Sequence, residues 1–125
     1  MGVRGNGLTE LELNKVLCSE LKDRLEDYGA TVNIYEYGVS GPYLWLPERG
    51  RRACGHNIFI SCHHNGHNGT AQGTETLVDI DATERDMQLA HNVHAEVVRT
   101  LNLVDRGVKY QKLGVLGGVT SDVEA

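Results

Sequence analysis

The sequence has little that would suit a membrane protein, a nucleic-acid binder or a domain held together by disulfides. No apolar run approaches the length of a membrane span, and the first residues lack the basic and then apolar build of a signal peptide. The formal net charge is −5 and no stripe of lysine and arginine occurs, which argues against non-specific nucleic-acid binding. The three cysteines, Cys18, Cys54 and Cys62, have no metal-type spacing, and an odd number disfavours a disulfide framework. We expect them to be small buried or half-buried thiols in a protein made in a reducing cytoplasm.

A length of 125 residues predicts one domain, residues 1–125, because a chain of this size builds a single modest core. No internal repeat or low-complexity segment divides it. Both prolines lie in the stretch Gly38–Arg52, which is predicted to be a long loop. A helical turn is predicted at its end, over Glu48–Cys54.

A first long helix is predicted over Glu10–Tyr28. Thr9 and Glu12 have the spacing of a capping box, and Gly29 supplies the left-handed conformation that ends a helix. The apolar residues at helical spacing are Leu13, Val16, Leu17, Leu21, Leu25 and Tyr28. A strand is predicted to follow over Ala30–Tyr37, since this segment is rich in β-branched and aromatic residues.

The second half of the chain is predicted to alternate strands with a second long helix. Asp81 and Glu84 have the spacing of another capping box, which would begin that helix. The other predicted elements are a strand buried on both faces at Ile58–Ile60, a strand at Thr74–Ile80, the helix end near Leu101, a polar turn at Asp105–Lys109 and a short strand at Leu113–Leu116. This alternation predicts an α/β fold with a mostly parallel, twisted sheet flanked by helices.

The predicted strand at Ile58–Ile60 runs into a cluster of three histidines, His63, His64 and His67. The intervening Asn-Gly pairs require turns, so these histidines do not form a zinc-binding helix, and at most two are metal ligands. Ligands and metals bind at the carboxyl ends of strands in open α/β sheets, and a neutral imidazole there suits zinc. The other histidines, His56, His91 and His94, are expected to be ordinary and partly exposed.

Two carboxylates are further candidates for this site. Glu10 follows a Gly-Asn-Gly-Leu loop at the start of the first helix, from which its side chain could lean towards a site. The alternative for Glu10 is a favourable interaction with the helix dipole alone. Glu75, in the strand after the glycine-rich run, is either structural or part of the crevice wall. The residues by themselves therefore predict a candidate site of His and Glu ligands.

Four separate stretches share their order and spacing with one family of enzymes. They are Gly5–Asn14, with Glu10 after Gly-Leu; Glu48-Arg49; Phe59–Asn65 with Gly73-Thr74-Glu75 after it; and Asp105–Lys109 with Val115-Leu116 downstream. Together they resemble the zinc-dependent N-acetylmuramoyl-L-alanine amidases of the amidase-3 type, cell-wall hydrolases that include many phage lysins. The resemblance covers almost the whole chain.

The resemblance implies that Glu10 and His63 bind Zn²⁺. His64 stands where the family usually has Ala, so we interpret it as a neighbour of the site and a candidate substrate contact. The resemblance also implies hydrolysis of the amide between N-acetylmuramic acid and L-alanine in peptidoglycan. The family's catalytic Glu would correspond to Glu124, although the match comes two residues early and follows polar Ser121-Asp122. The family begins with a strand that ends in His-Gly-Gly and supplies another ligand. We expect this chain to lack that strand and the carboxyl-terminal end, and to have low or no activity alone.

Action on peptidoglycan implies that the protein works at the cell wall, in the periplasm or outside the cell. The missing signal peptide favours a phage lysin made in the cytoplasm. Two alternatives remain open at this point. One is a non-catalytic peptidoglycan-binding remnant of the same fold, and the other is an unrelated α/β domain with a histidine-rich loop.

Overall fold

A computed structural model describes residues 4–5, 7–35, 45–65 and 72–119 of the chain. They fall into two compact units, Met1–Tyr43 with Ser61–Ala71 and Leu44–Ile60 with Gln72–Ala125. Helices and a small parallel sheet confirm the predicted α/β class. Within the part that the structure describes, no helix is both long and apolar enough to span a membrane.

The first unit is built around one long helix. Two short antiparallel strands, β1 (Arg4–Gly5) and β2 (Leu8–Thr9), lead directly into α1 (Glu10–Asp27). The predicted capping box is confirmed: Thr9 Oγ1 accepts from the Glu12 backbone N–H at 3.2 Å, and Glu12 Oε2 accepts from the Thr9 N–H at 2.8 Å. Gly29 has a φ of 88°, the left-handed conformation that was expected to stop the helix.

The strand predicted at Ala30–Tyr37 is not formed over residues 30–35, which are irregular, and its last two residues lie outside the described part. An extended segment becomes a strand only when its backbone pairs with a neighbour. Here Lys22 Nζ donates to the Val32 carbonyl at 2.6 Å. The side chain thus occupies a backbone acceptor that, in a strand, would bond to a neighbouring strand. Residues 30–35 have the composition of a strand, but composition does not determine whether the backbone pairs with a neighbour, and here the strand is not formed.

The second unit contains a β-α-β arrangement made of β3 (Thr74–Val78), α3 (Glu84–Leu101) and β4 (Asp105–Tyr110). The two strands are parallel, with Thr74 opposite Asp105 and Val78 opposite Tyr110. The predicted polar turn at Asp105–Lys109 is therefore wrong, because pairing with β3 holds this polar segment extended. The register is irregular between Thr74 and Thr76, opposite Gly107, whose φ of 81° suits a bulge.

Helix α3 ends as predicted but is capped by different residues. The Thr83 hydroxyl accepts from the Asp86 backbone N–H at 3.3 Å, and Asp86 Oδ2 accepts from the Thr83 N–H at 2.7 Å. The predicted pair of Asp81 and Glu84 does not form this box, since the Asp81 N–H is bonded to Asp79 Oδ1 in the preceding turn. Two overlapping boxes are possible in this sequence, and the turn geometry selects the later one.

The buried apolar residues of the described ranges all belong to the second unit: Ala53, Val78, Ala90 and Leu116. Helix α2 (Leu46–Arg51) begins two residues before the predicted helical turn and carries Pro47 in its first turn, where proline is tolerated. It packs on a 3₁₀ turn, Leu116–Gly118, where a strand was predicted over Leu113–Leu116. Gly50 and Gly118 allow the two backbones to approach each other directly.

The prediction of a strand buried on both faces at Ile58–Ile60 is also wrong. Ile58 forms a single isolated bridge, and Ile58 and Ile60 are 46% and 48% exposed. Burial on both faces requires flanking strands and covering layers. Among the described residues the parallel sheet consists of β3 and β4, and Ile58–Ile60 is not one of its strands.

Candidate metal centre

Glu10 and His63, the two predicted zinc ligands, are in contact within the first unit. Glu10 is the first residue of α1, and its Oε1 lies 3.0 Å from Nδ1 of His63. The same oxygen accepts from the backbone N–H of His64 at 3.2 Å. The Glu10 side chain is only 16% exposed. Its carboxylate therefore points at the histidine segment. A first-turn Glu that interacted only with the helix dipole would not need this orientation.

Asn14, one turn further along α1, contacts the same segment. Its Nδ2 donates to the Cys62 carbonyl at 2.8 Å, and its Oδ1 lies 2.7 Å from Nδ1 of His64. Residues four apart share one face of a helix, so Glu10 and Asn14 together hold residues 62–64 against α1. Sequence reasoning missed the role of Asn14. The available signal was the presence of Asn inside a helix, because Asn disfavours helix interiors.

His63 is held from both sides of its ring. Ser61 Oγ lies 3.1 Å from Nε2, on the opposite edge from the Glu10 contact. A hydroxyl donates or accepts, so Ser61 suits either neutral form of the imidazole. The Glu10 carboxylate only accepts, so without a metal Nδ1 donates its proton to Glu10. With the proton instead on Nε2 and accepted by Ser61, Nδ1 offers its lone pair on the side of Glu10, which is the form that binds a metal.

The separation of the two donors fits a shared zinc ion. Two ligand atoms bound tetrahedrally at about 2.0–2.1 Å lie about 3.4 Å apart, close to the 3.0 Å between Glu10 Oε1 and His63 Nδ1. Catalytic zinc sites use three protein ligands, and the described residues contain no group of three or more His, Cys, Asp or Glu side chains arranged for a metal. They supply two donors of the required chemistry. His67 and the predicted catalytic Glu124 lie outside the described residues.

The prediction that His94 is an ordinary, partly exposed residue is wrong. It is 6% exposed on α3, with Nε2 2.8 Å from Asp105 Oδ1 and Nδ1 3.1 Å from Thr76 Oγ1. This buried imidazole ties α3 to both β3 and β4, which is a structural role in the second unit. His91 is exposed, as predicted, and His56 is half-buried with Nδ1 3.2 Å from the Ala53 carbonyl.

Glu75 takes part in an ion-pair network across the parallel strands. Its Oε2 accepts from Lys109 Nζ at 2.7 Å and from Arg106 Nε at 3.2 Å. The hydrogen bond from Lys109, followed by that from Arg106, lowers the pKa of the Glu75 carboxyl below its ordinary value. Of the two alternatives left by the sequence, the contacts favour the structural one.

The cysteines are free thiols, of which Cys18 and Cys62 are half-buried as predicted and Cys54 is exposed. Burial, and then the charge and hydrogen bond of the Cys18 thiol, raise the pKa of Cys62 to about 11. Cys18 lies four residues beyond Asn14 on α1, so it shares the helix face that holds residues 62–64. The thiol beside the candidate site is therefore protonated at neutral pH.

A family model described as N-acetylmuramoyl-L-alanine amidase matches residues 1–123. Over 111 residues the chain is 33% identical to the uncharacterized protein YqiI of Bacillus subtilis strain 168, covering 86% of this chain and 53% of that protein. Over 117 residues it is 29% identical to the sporulation-specific N-acetylmuramoyl-L-alanine amidase of the same strain, covering 92% of this chain and 45% of that protein. The chain thus spans about half the length of these curated relatives. No solved structure gives a significant match.

Proposed function

Because the chain belongs to the N-acetylmuramoyl-L-alanine amidase family, we propose that it is a catalytic domain, residues 1–125, that hydrolyses the amide between N-acetylmuramic acid and L-alanine in peptidoglycan. The observation that carries this proposal is the 3.0 Å approach of Glu10 and His63. The proposal places the protein's action at the cell wall. Family membership removes the alternative of an unrelated α/β domain.

We assign zinc binding to Glu10 and His63, with a third ligand from a residue outside this contact. When bound, zinc polarises the scissile carbonyl and lowers the pKa of the attacking water. In the metal-binding form Ser61 accepts the Nε2 proton of His63, which leaves Nδ1 available, and the backbone N–H of His64 holds the Glu10 carboxylate in place. Glu124 is assigned the general-base role: it takes a proton from water and returns it to the leaving amine.

A second candidate function is peptidoglycan binding without hydrolysis. The observation that favours it is the donor count in the described part of the chain, where Glu10 and His63 supply two of the three protein ligands that a catalytic zinc requires. This alternative predicts that the chain sediments with purified sacculi and produces no new amino termini.

The proposal is tested by measuring bound zinc and newly released L-alanine amino termini on purified sacculi. We expect zinc to co-purify with the wild-type chain and to be lost in both Glu10→Gln and His63→Ala. Glu20→Gln is the matched control, an exposed Glu on the same helix, and should keep the metal. Glu124→Gln should keep the zinc and abolish release.

Two outcomes decide between the candidates. Slow release by the wild-type chain above the Glu124→Gln background supports the amidase, whereas sacculus binding without new amino termini supports the binding module. Retention of zinc by Glu10→Gln would refute the assigned metal site.

A further inference from the structure

The amide of Asn14 makes two contacts with a segment about fifty positions away in the sequence. Nδ2 donates to the carbonyl oxygen of Cys62 at 2.8 Å, and Oδ1 lies 2.7 Å from Nδ1 of His64. Asn14 is half-buried, and His64 is exposed next to His63. One helix side chain thus touches both the backbone and the side chain of the segment that carries a proposed zinc ligand.

The two contacts determine how the atoms of the amide are oriented. A backbone carbonyl only accepts hydrogen bonds, so the NH₂ group of Asn14 must face Cys62. The amide oxygen then faces His64, and this oxygen also only accepts. Nδ1 of His64 must therefore carry a proton. In a neutral imidazole the other nitrogen, Nε2, then has the free lone pair.

We propose that Asn14 is a positioning residue that selects the Nδ1–H tautomer of His64, so that Nε2 of His64 serves as a hydrogen-bond acceptor for a backbone N–H of the stem peptide. The backbone of His64 is held at the same time, since its N–H donates to Glu10 Oε1 at 3.2 Å. The acceptor therefore lies on the residue next to the proposed zinc ligand His63, on a backbone that Glu10 holds. The substrate contact rests on the proposed amidase function, whereas the tautomer assignment does not.

The same geometry makes Asn14 a support for His63. Its bond to the Cys62 carbonyl restrains the backbone immediately before His63, and outer residues that orient a metal ligand change metal affinity about 10–100-fold when removed. We expect zinc binding to weaken by that factor in Asn14→Ala. Asn14→Asp retains an acceptor for the Nδ1–H of His64 but cannot donate to Cys62, so it separates the two roles.

The tautomer is measured by two-bond ¹H–¹⁵N correlation spectra of the ¹⁵N-histidine-labelled chain at about pH 8, above the ordinary pKa of histidine. We expect the Nδ1–H form for His64 in the wild-type chain and in Asn14→Asp, and a shift towards the Nε2–H form in Asn14→Ala. Asn92→Ala, which changes an exposed Asn on α3, should leave the spectra unchanged. An Nε2–H tautomer in the wild-type chain, or spectra unaltered by Asn14→Ala, would overturn the assignment. The wild-type spectrum decides the question even where a variant fails to fold.

The substrate contact is measured as the Kd of a soluble N-acetylmuramoyl-L-alanyl peptide. Loss of one hydrogen bond should weaken binding about 5–10-fold in His64→Ala, and His64→Gln should restore it because its amide also offers an acceptor. Unchanged affinity in His64→Ala would overturn the contact. If the wild-type chain binds neither zinc nor this peptide, the contact falls together with the proposed function, and the tautomer assignment is judged on its own spectra.

Discussion

Oε1 of Glu10 lies 3.0 Å from Nδ1 of His63, although 53 positions separate the two residues in the sequence. The capping box at Thr9 and Glu12 starts α1 at Glu10, which puts this carboxylate at the end of the helix nearest the histidine segment. Asn14 then holds that segment from the next turn. The candidate site thus depends on one correctly placed helix start and on side-chain contacts made one turn later.

The buried imidazole of His94 should contribute to folding stability rather than to chemistry. Its replacement in His94→Ala removes one hydrogen bond each from the Thr76 hydroxyl and the Asp105 carboxylate and opens a small cavity, so we expect a loss of about 2–3 kcal/mol in the free energy of unfolding. His91→Ala, on an exposed position of the same helix, should change stability by less than about 0.5 kcal/mol. Urea denaturation of both variants measures the difference, and equal midpoints would contradict the role of His94.

The stability of the second unit should fall in acid partly through Asp105. The hydrogen bond from His94, and then that from the Gly107 backbone, hold the pKa of the folded Asp105 carboxyl below its ordinary value of 3.8. A lowered folded pKa stabilises the protein fully above the unfolded pKa, and this contribution is lost as pH falls through the folded value.

We expect the wild-type chain to melt at a higher temperature than Asp105→Asn at pH 6, and the difference to shrink as the pH falls below the ordinary carboxyl value of 3.8. Asp81→Asn, whose carboxylate is exposed in the turn before α3, is the control. A difference that stays constant over this fall in pH would show that ionisation of Asp105 is not involved.

The contact between α2 and the 3₁₀ turn should tolerate no side chain at Gly118. A Cβ there would overlap the backbone carbonyl of Pro47, and neither backbone can move without displacing its element. Gly118→Ala should therefore cost at least about 1–3 kcal/mol, as overpacking does. Gly117→Ala is the matched control, because a Cβ at Gly117 meets nothing within 4 Å. Thermal melting of the two variants should separate them clearly, and a neutral Gly118→Ala would refute this packing.

The three thiols should differ in reactivity. Burial and the neighbouring Cys18 raise the pKa of Cys62 to about 11, so at pH 8 only about one molecule in a thousand carries the reactive thiolate. Iodoacetamide labelling followed by peptide mass spectrometry should modify exposed Cys54 first and Cys62 last, and labelling of Cys62 should accelerate as pH rises towards 10. Labelling of Cys62 as fast as Cys54 at pH 8 would contradict its protected environment.

Features that depend on neighbours within four residues were predictable from the sequence. The start of α1 at Glu10, its stop at Gly29 and the end of α3 near Leu101 follow from capping residues and helical spacing. The capping box of α3 shows the limit of this approach, because two overlapping candidates existed and the turn at Asp79 selected Thr83.

Features that depend on pairing across the chain were not predictable in the same way. Asp105–Lys109 is polar enough to be predicted as a turn, but β3 provides a partner that makes Asp105–Tyr110 a strand. Ile58–Ile60 has the composition of a buried strand, but in the described part of the chain it is not one of the strands of the sheet, and burial on both faces requires flanking strands.

By itself, the sequence determined the α/β class, the long helices and, through resemblance, the two residues proposed to bind zinc. Only the tertiary structure decided that Glu10 faces His63, that Asn14 supports the segment that carries His63 and that His94 is buried. The physical reason is range: caps and helical periodicity act over one turn of chain, whereas these contacts join residues 11 to 53 positions apart, whose approach depends on the packing of whole elements.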